Sequence, residues 1–139
     1  MGCVMTFKKE YKLNLKWELT RFATNIMYRT PGMASKLFNF FKKNYEFNEI
    51  KSFLDLSWFY SHNNIYTKLG FIKEKVTKPD YMYVVKNKRV HKFNFRKQHI
   101  NKKYGLPLSM TEKEMMDELG IHRIWNSGLI KYIYKNDTI

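Results

Sequence analysis

The chain has 139 residues, 44% of them hydrophobic and 17% aromatic, which is material for one folded domain with an ordinary core. Twenty-six Lys and Arg against twelve Asp and Glu give a net charge of +14, which suits a polyanionic partner, most simply nucleic acid. No apolar run approaches the roughly 18 residues of a membrane span, "MGCVMTFKKE" lacks a signal-peptide core and cleavage site, and a single cysteine, Cys3, excludes an internal disulfide and fits a reducing cytoplasm.

In chain order, "GCVMTFK" predicts a first strand, followed by a Lys-rich turn over residues 8–13. "KWELTRFAT" alternates apolar and polar residues and predicts a second strand. A helix is expected over about 32–45, with Ala34, Leu37, Phe38, Phe41 and Tyr45 on one stripe. "EIKSFLDLSW" reads as an apolar strand, and "NNIYTKLGF" as a short helix ended by Gly70. "YMYVVKNKRVHKFNF" is strand-like, with alternating aromatics. Thr111 and Glu114 form a capping box that opens a helix, "TEKEMMDEL", stopped by Gly120. The acids Glu112, Glu114, Asp117 and Glu118 sit where the helix macrodipole favours them and read as a solvated face rather than a catalytic pair. "IHRIWNSGLIKYIYK" predicts a hairpin turning at Asn126-Ser127-Gly128.

The charge is concentrated in residues 86–103, where eight cations stand without one acid. Lys86, Lys88, Arg89, Lys92, Arg96, Lys97, Lys102 and Lys103 are therefore the candidate nucleic-acid-binding residues, with DNA as the expected partner. Phe93 and Phe95 interleave with them, along with His91 and His99; the two Phe are either core residues or platforms for bases. The four histidines and Cys3 lack the spacing of a metal site, so no metal is expected. "SHNN" at 61–64 lacks the second histidine and the metal ligands of a His-Asn-His nuclease.

The stretch "YRTPGMASKLFNFFKK" carries the pattern Arg/Gln-x-x-Gly-x-Gly/Ala in Arg29-Thr30-Pro31-Gly32-Met33-Ala34, immediately before the amphipathic helix. Free N–H groups at a helix start bind phosphate, and a small residue lets a ligand approach the backbone. With "WELTRFAT" before it, and "IKSFLDLSW" and "NNIYTKLGF" after, the order resembles the GNAT superfamily of acyltransferases. The resemblance implies that Arg29, Gly32, Met33, Ala34 and Ser35 hold the pyrophosphate of acyl-coenzyme A. It also implies that Tyr66, in the Tyr-x-x-x-Gly-Phe segment, protonates the departing thiolate; the bland alternative for Tyr66 is packing. Asp55, near the end of its strand, either orients an acceptor amine or hydrogen-bonds a neighbouring loop. Trp58 and Asn63 border the same rim, where Trp58 is core or stacks on an extruded base.

Six blocks in order, "WELTRF", "ASKLFNFF", "IYTKLGF", "TKPDYMYV", "HKFNFRKQHI" and "TEKEMMDELGIHRIWNSG", resemble a phage GNAT-like domain found C-terminal to nuclease domains in homing-endonuclease-like proteins. In outline the chain is also similar to Mom-type enzymes that modify adenine in DNA. The implied fold is an α/β, GNAT-like mixed sheet with flanking helices, forming one domain of 139 residues with a core over 1–85 and a basic extension with helix and hairpin over 86–139. It is N-terminally shortened, since only about fifteen residues precede "KWELTRF". Pro31 and Met33 make the loop bulkier than a Gly-rich cradle, and Ala34 stands where a second Gly is usual. Two functions are implied: acyl-coenzyme A-dependent transfer onto DNA bases in a host-cell cytoplasm, or a non-catalytic DNA-binding accessory of a homing nuclease.

Overall fold

The computed structural model describes residues 2–28 and 30–136. The described chain is mixed α/β and forms two compact units, Met1–Thr77 with Gly128–Ile139, and Lys78–Ser127. This division differs from the expected core over 1–85 with an extension after it, because the final strand returns to the first unit.

The first unit begins with β1 (Cys3–Lys9), β2 (Lys16–Thr24), α1 (Met33–Asn44) and β3 (Glu49–Asp55), followed by a 3-10 turn, Leu56–Trp58, then α2 (Ile65–Lys68) and β4 (Ile72–Val76). The second unit holds β5 (Tyr81–Val85), β6 (Lys88–Val90), a 3-10 turn over Lys92–Phe95, α3 (Lys97–Tyr104), α4 (Glu112–Glu118) and β7 (His122–Trp125). The last strand, β8 (Leu129–Lys135), completes the first unit's five-stranded sheet, whose order is β1-β2-β3-β8-β4.

Only the β2–β3 pair is parallel in that sheet, joined by α1 as a parallel crossover requires; the other pairs are antiparallel. Alternation decides the core. Leu19, Ile50, Ile130 and Tyr132 face one side, where Phe38 and Phe41 of α1 bury with Phe47, Leu69 and Phe71. Phe38 touches Phe71 (ring centroids 5.3 Å apart), and Phe71 touches Tyr66 (5.9 Å), so α1 and α2 share this face. Ion pairs join Lys51 to Glu10 and Glu18, Lys16 to Glu49, and Lys131 to Glu74 at 2.6 Å. The Lys131 hydrogen bond holds the Glu74 carboxyl below the usual range. No helix among the described residues is long and apolar enough to cross a membrane.

In the second unit β5 is central in an antiparallel sheet of order β6-β5-β7. The strand expected from "YMYVVKNKRVHKFNF" is interrupted. Lys86 and Asn87, at φ 47° and 62°, make a two-residue hairpin turn between β5 and β6, and the sequence then enters a 3-10 turn. Tyr83, Phe95, Ile100, Met115 and Met116 form the core. The capping box is present: Thr111 Oγ1 accepts from the Glu114 N–H, and Glu114 accepts from the Thr111 N–H. The acidic face is only partly solvated, because Glu112 accepts hydrogen bonds from the hydroxyls of Tyr83 (2.5 Å) and Tyr81 (3.2 Å). The expected hairpin across Asn126-Ser127-Gly128 does not form: β7 pairs with β5, and β8 pairs with β3 and β4.

Candidate functional site

Strands β2 and β3 run as parallel neighbours for three residue pairs, ending at Glu18 and Lys51, although β2 continues to Thr24 and β3 to Asp55. Where the ladder stops, the buried Ser52 hydroxyl donates to the Leu19 carbonyl at 2.7 Å in place of a strand partner. Beyond it the two strands part. The Leu56 N–H donates to the Gly128 carbonyl, so the antiparallel alternation along β3 and β8 turns the N–H and C=O of Phe53 toward the β2 side, into the opening.

Tyr66 reaches this opening. Its hydroxyl donates to the Phe53 carbonyl at 3.5 Å, while its half-buried ring stacks on buried Tyr132 with centroids 5.0 Å apart. Asn64 holds α2 in place: its Oδ1 accepts from the N–H groups of Tyr66 and Thr67, and its Nδ2 donates to the Tyr132 hydroxyl at 2.9 Å. Tyr66 is thus both a packing residue and the hydroxyl at the opening.

The loop after β2 leads to α1. Gly32 is the N-cap in the left-handed region, at φ 78°, where glycine is favoured, and no side chain caps the helix. Its carbonyl accepts from the Lys36 N–H, leaving the N–H groups of Met33, Ala34 and Ser35 without intrahelical acceptors. A Cβ at Gly32 would meet nothing within 4 Å, so the space beside this residue is open. Arg29 lies outside the described residues.

Asp55 ends β3, but its Oδ1 accepts from the Ser57 N–H (2.8 Å) and Oγ (2.7 Å), capping the 3-10 turn. Asp55 thus makes a local loop hydrogen bond, one of the two roles that the sequence offers it. Trp58 is 81% exposed rather than core, because the 3-10 turn lifts it off the end of β3. Asn63 is exposed, with its N–H on Ser61 Oγ.

The eight cations do not form one strand. Lys86 sits in the hairpin turn, Lys88 and Arg89 on β6, and Lys92 in the 3-10 turn; Arg96 is the N-cap of α3, and Lys97, Lys102 and Lys103 lie on α3. One is neutralised: Lys92 donates to Asp80 at 2.6 Å, which holds the Asp80 carboxyl below its usual range and raises the lysine. Phe95 is buried, whereas Phe93 is 54% exposed. The described residues hold no group of three or more His, Cys, Asp or Glu arranged for a metal.

Ser52, Asn64, Tyr132 and Asp80 escaped the sequence reading. Asn64 alone had a local signal, the Asn-x-x-Thr spacing of a capped helix start. Ser52 and Tyr132 matter through partners 33 and 68 residues away.

No family model matches the chain, and no curated protein matches it. Among solved structures it is similar to a chain in the crystal structure of the NatC complex bound to Gag peptide and CoA, at 16% identity and a TM-score of 0.43. The similarity covers 97% of this chain, which spans 60% of that chain's length, and at this level it identifies neither a family nor an activity.

Proposed function

We propose that the first unit is a GNAT-type acyltransferase domain that takes acyl-coenzyme A at the opening between β2 and β3, and that the second unit holds DNA, whose base amine is the acceptor. The observation that carries this reading is the early end of the parallel β2–β3 ladder, with the Tyr66 hydroxyl on the Phe53 carbonyl beside it. An opening edged by strand N–H and C=O groups suits the amides of a pantetheine arm, which can pair like an added strand. The N–H groups after Gly32, which no side chain caps, suit the pyrophosphate, so the residues present fit this donor. The resemblance of the sequence blocks to phage and Mom-type proteins, together with the +14 charge, supports DNA as the acceptor.

In transfer, the amine forms a C–N bond at the thioester carbonyl and the C–S bond breaks. The Tyr66 O–H gives its proton to the departing thiolate, and the tyrosinate regains one from the proton released by the amine. Asn64 and Tyr132 fix the ring from which that proton leaves.

Calorimetry with acetyl-coenzyme A tests the donor site. Binding is expected, and Arg29→Ala should weaken it by about 1.5–3 kcal/mol, the range for a charge-assisted hydrogen bond. Tyr66→Phe should preserve binding while slowing acetyl transfer to DNA. Absence of binding at millimolar ligand would overturn the acyltransferase reading and, if DNA still binds, leave the accessory-module reading.

A further inference from the structure

The geometry points to a base-stacking platform in the second unit: His91, Phe93 and Arg96 form a preassembled stack that binds an unpaired DNA base. The inference rests on the reading of this unit as the DNA-binding one, and specifies the form of DNA it takes.

Phe93 and Phe95 are two residues apart in one 3-10 turn, yet Phe95 is 7% exposed and Phe93 54%. The exposed ring is not loose. The His91 ring lies parallel to it, at an interplanar angle of 7° and a centroid distance of 4.9 Å, and His91 Nδ1 accepts from the Phe93 N–H at 3.3 Å. That bond caps the turn and fixes the imidazole in its plane. The Arg96 guanidinium sits 4.3 Å from the Phe93 centroid. Two further anchors hold the turn: Lys92 on Asp80, and Phe95 in the core with Tyr83. His91 and Arg96 are themselves exposed.

Such a stack is already ordered, so a base that adds to it costs little protein entropy. A duplex base is covered on both faces and cannot add; an unpaired one can, on an aromatic, imidazole or guanidinium plane. Among the described residues no carboxylate forms an ion pair with Lys88, Arg89 or Arg96, so cations remain beside the stack for the strand's phosphates. Transfer to a base amine likewise requires a base taken out of the helix.

The test compares three labelled probes of equal length by anisotropy with the intact protein: single-stranded oligo-dT, the same strand with abasic sites, and a duplex. Oligo-dT should bind about tenfold more tightly than the abasic strand, the order expected for one stacked base. Phe93→Ala should remove that difference and leave duplex affinity unchanged, and Phe93→Trp should restore it. Equal affinity of the wild type for oligo-dT and abasic strands would overturn the platform while leaving DNA binding intact. A protein that binds none of the three overturns the DNA reading itself. Circular dichroism of Phe93→Ala guards against misfolding, and an unfolded variant transfers the decision to the wild-type comparison of base and abasic strands.

Discussion

At the scale of single residues, buried hydroxyls make the clearest demands. Tyr83 is fully buried with its hydroxyl on Glu112, and burial first, then that carboxylate, pushes its ionisation above the ordinary 10. In the unfolded chain the phenol ionises near 10, so above that pH the unfolded state binds fewer protons than the folded one. Stability should then fall as pH rises past about 10. Urea denaturation across an alkaline series should show this fall, and Tyr83→Phe should flatten it. Ser52→Ala removes the only donor described on the Leu19 carbonyl and should cost about 1–3 kcal/mol in the same assay. Asn64→Ala should cost about 1 kcal/mol as a lost helix cap and, because Asn64 also holds Tyr132, lower the rate of acetyl transfer more than acetyl-coenzyme A affinity.

At the scale of elements, the electrostatics of the 3-10 turn can be edited without unfolding it. Asp80→Asn keeps the Oδ1 that accepts from the Tyr81 N–H but drops the charge that holds Lys92. The freed lysine should add a phosphate contact, steepening the log–log salt dependence of duplex binding by about 0.9. An unchanged slope in anisotropy titrations over a salt series would place Lys92 outside the DNA path. This contact also marks where the sequence was readable. β1, β2 and the α1 stripe followed from alternation and helical spacing, and Thr111 with Glu114 fixed the start of α4, because those signals are local. The Lys86-Asn87 turn was missed because it takes two positive φ values without a glycine. The final hairpin was misread for a different reason: Asn126-Ser127-Gly128 does mark a turn, but a turn does not name the strands that pair. The opening beside Tyr66 was half readable. The loop pattern and the tyrosine stood in the sequence, while Ser52 at the end of the ladder did not.

At the scale of the molecule, the second unit is a continuous insert, Lys78–Ser127, between two neighbouring segments of the first. Thr77 and Leu129 hydrogen-bond each other there, through the Thr77 N–H to the Leu129 carbonyl (2.7 Å) and the Leu129 N–H to Thr77 Oγ1 (3.0 Å). Replacing residues 78–127 with a short Gly-Ser linker should therefore leave the five-stranded sheet closed, at little loop-closure cost. The shortened protein should unfold in one cooperative step and bind acetyl-coenzyme A as the full chain does, with DNA affinity abolished. Calorimetry and anisotropy on the same preparation check both halves.

The place of β8 between β3 and β4 also bears on the order in which a ribosome delivers the fold. β4 pairs in its sheet only through β8, which is synthesised about fifty residues later, after the whole insert. During that interval β3 and β4 present unsatisfied edges next to Phe53, Ile72 and Val76, a setting in which nascent chains join one another. The insert has a core of its own in Tyr83, Phe95, Ile100, Met115 and Met116, so it can condense while the emerging sheet waits. The β4 edge carries Lys73, Glu74 and Lys75, and charge at an open strand edge discourages the wrong partner until β8 arrives.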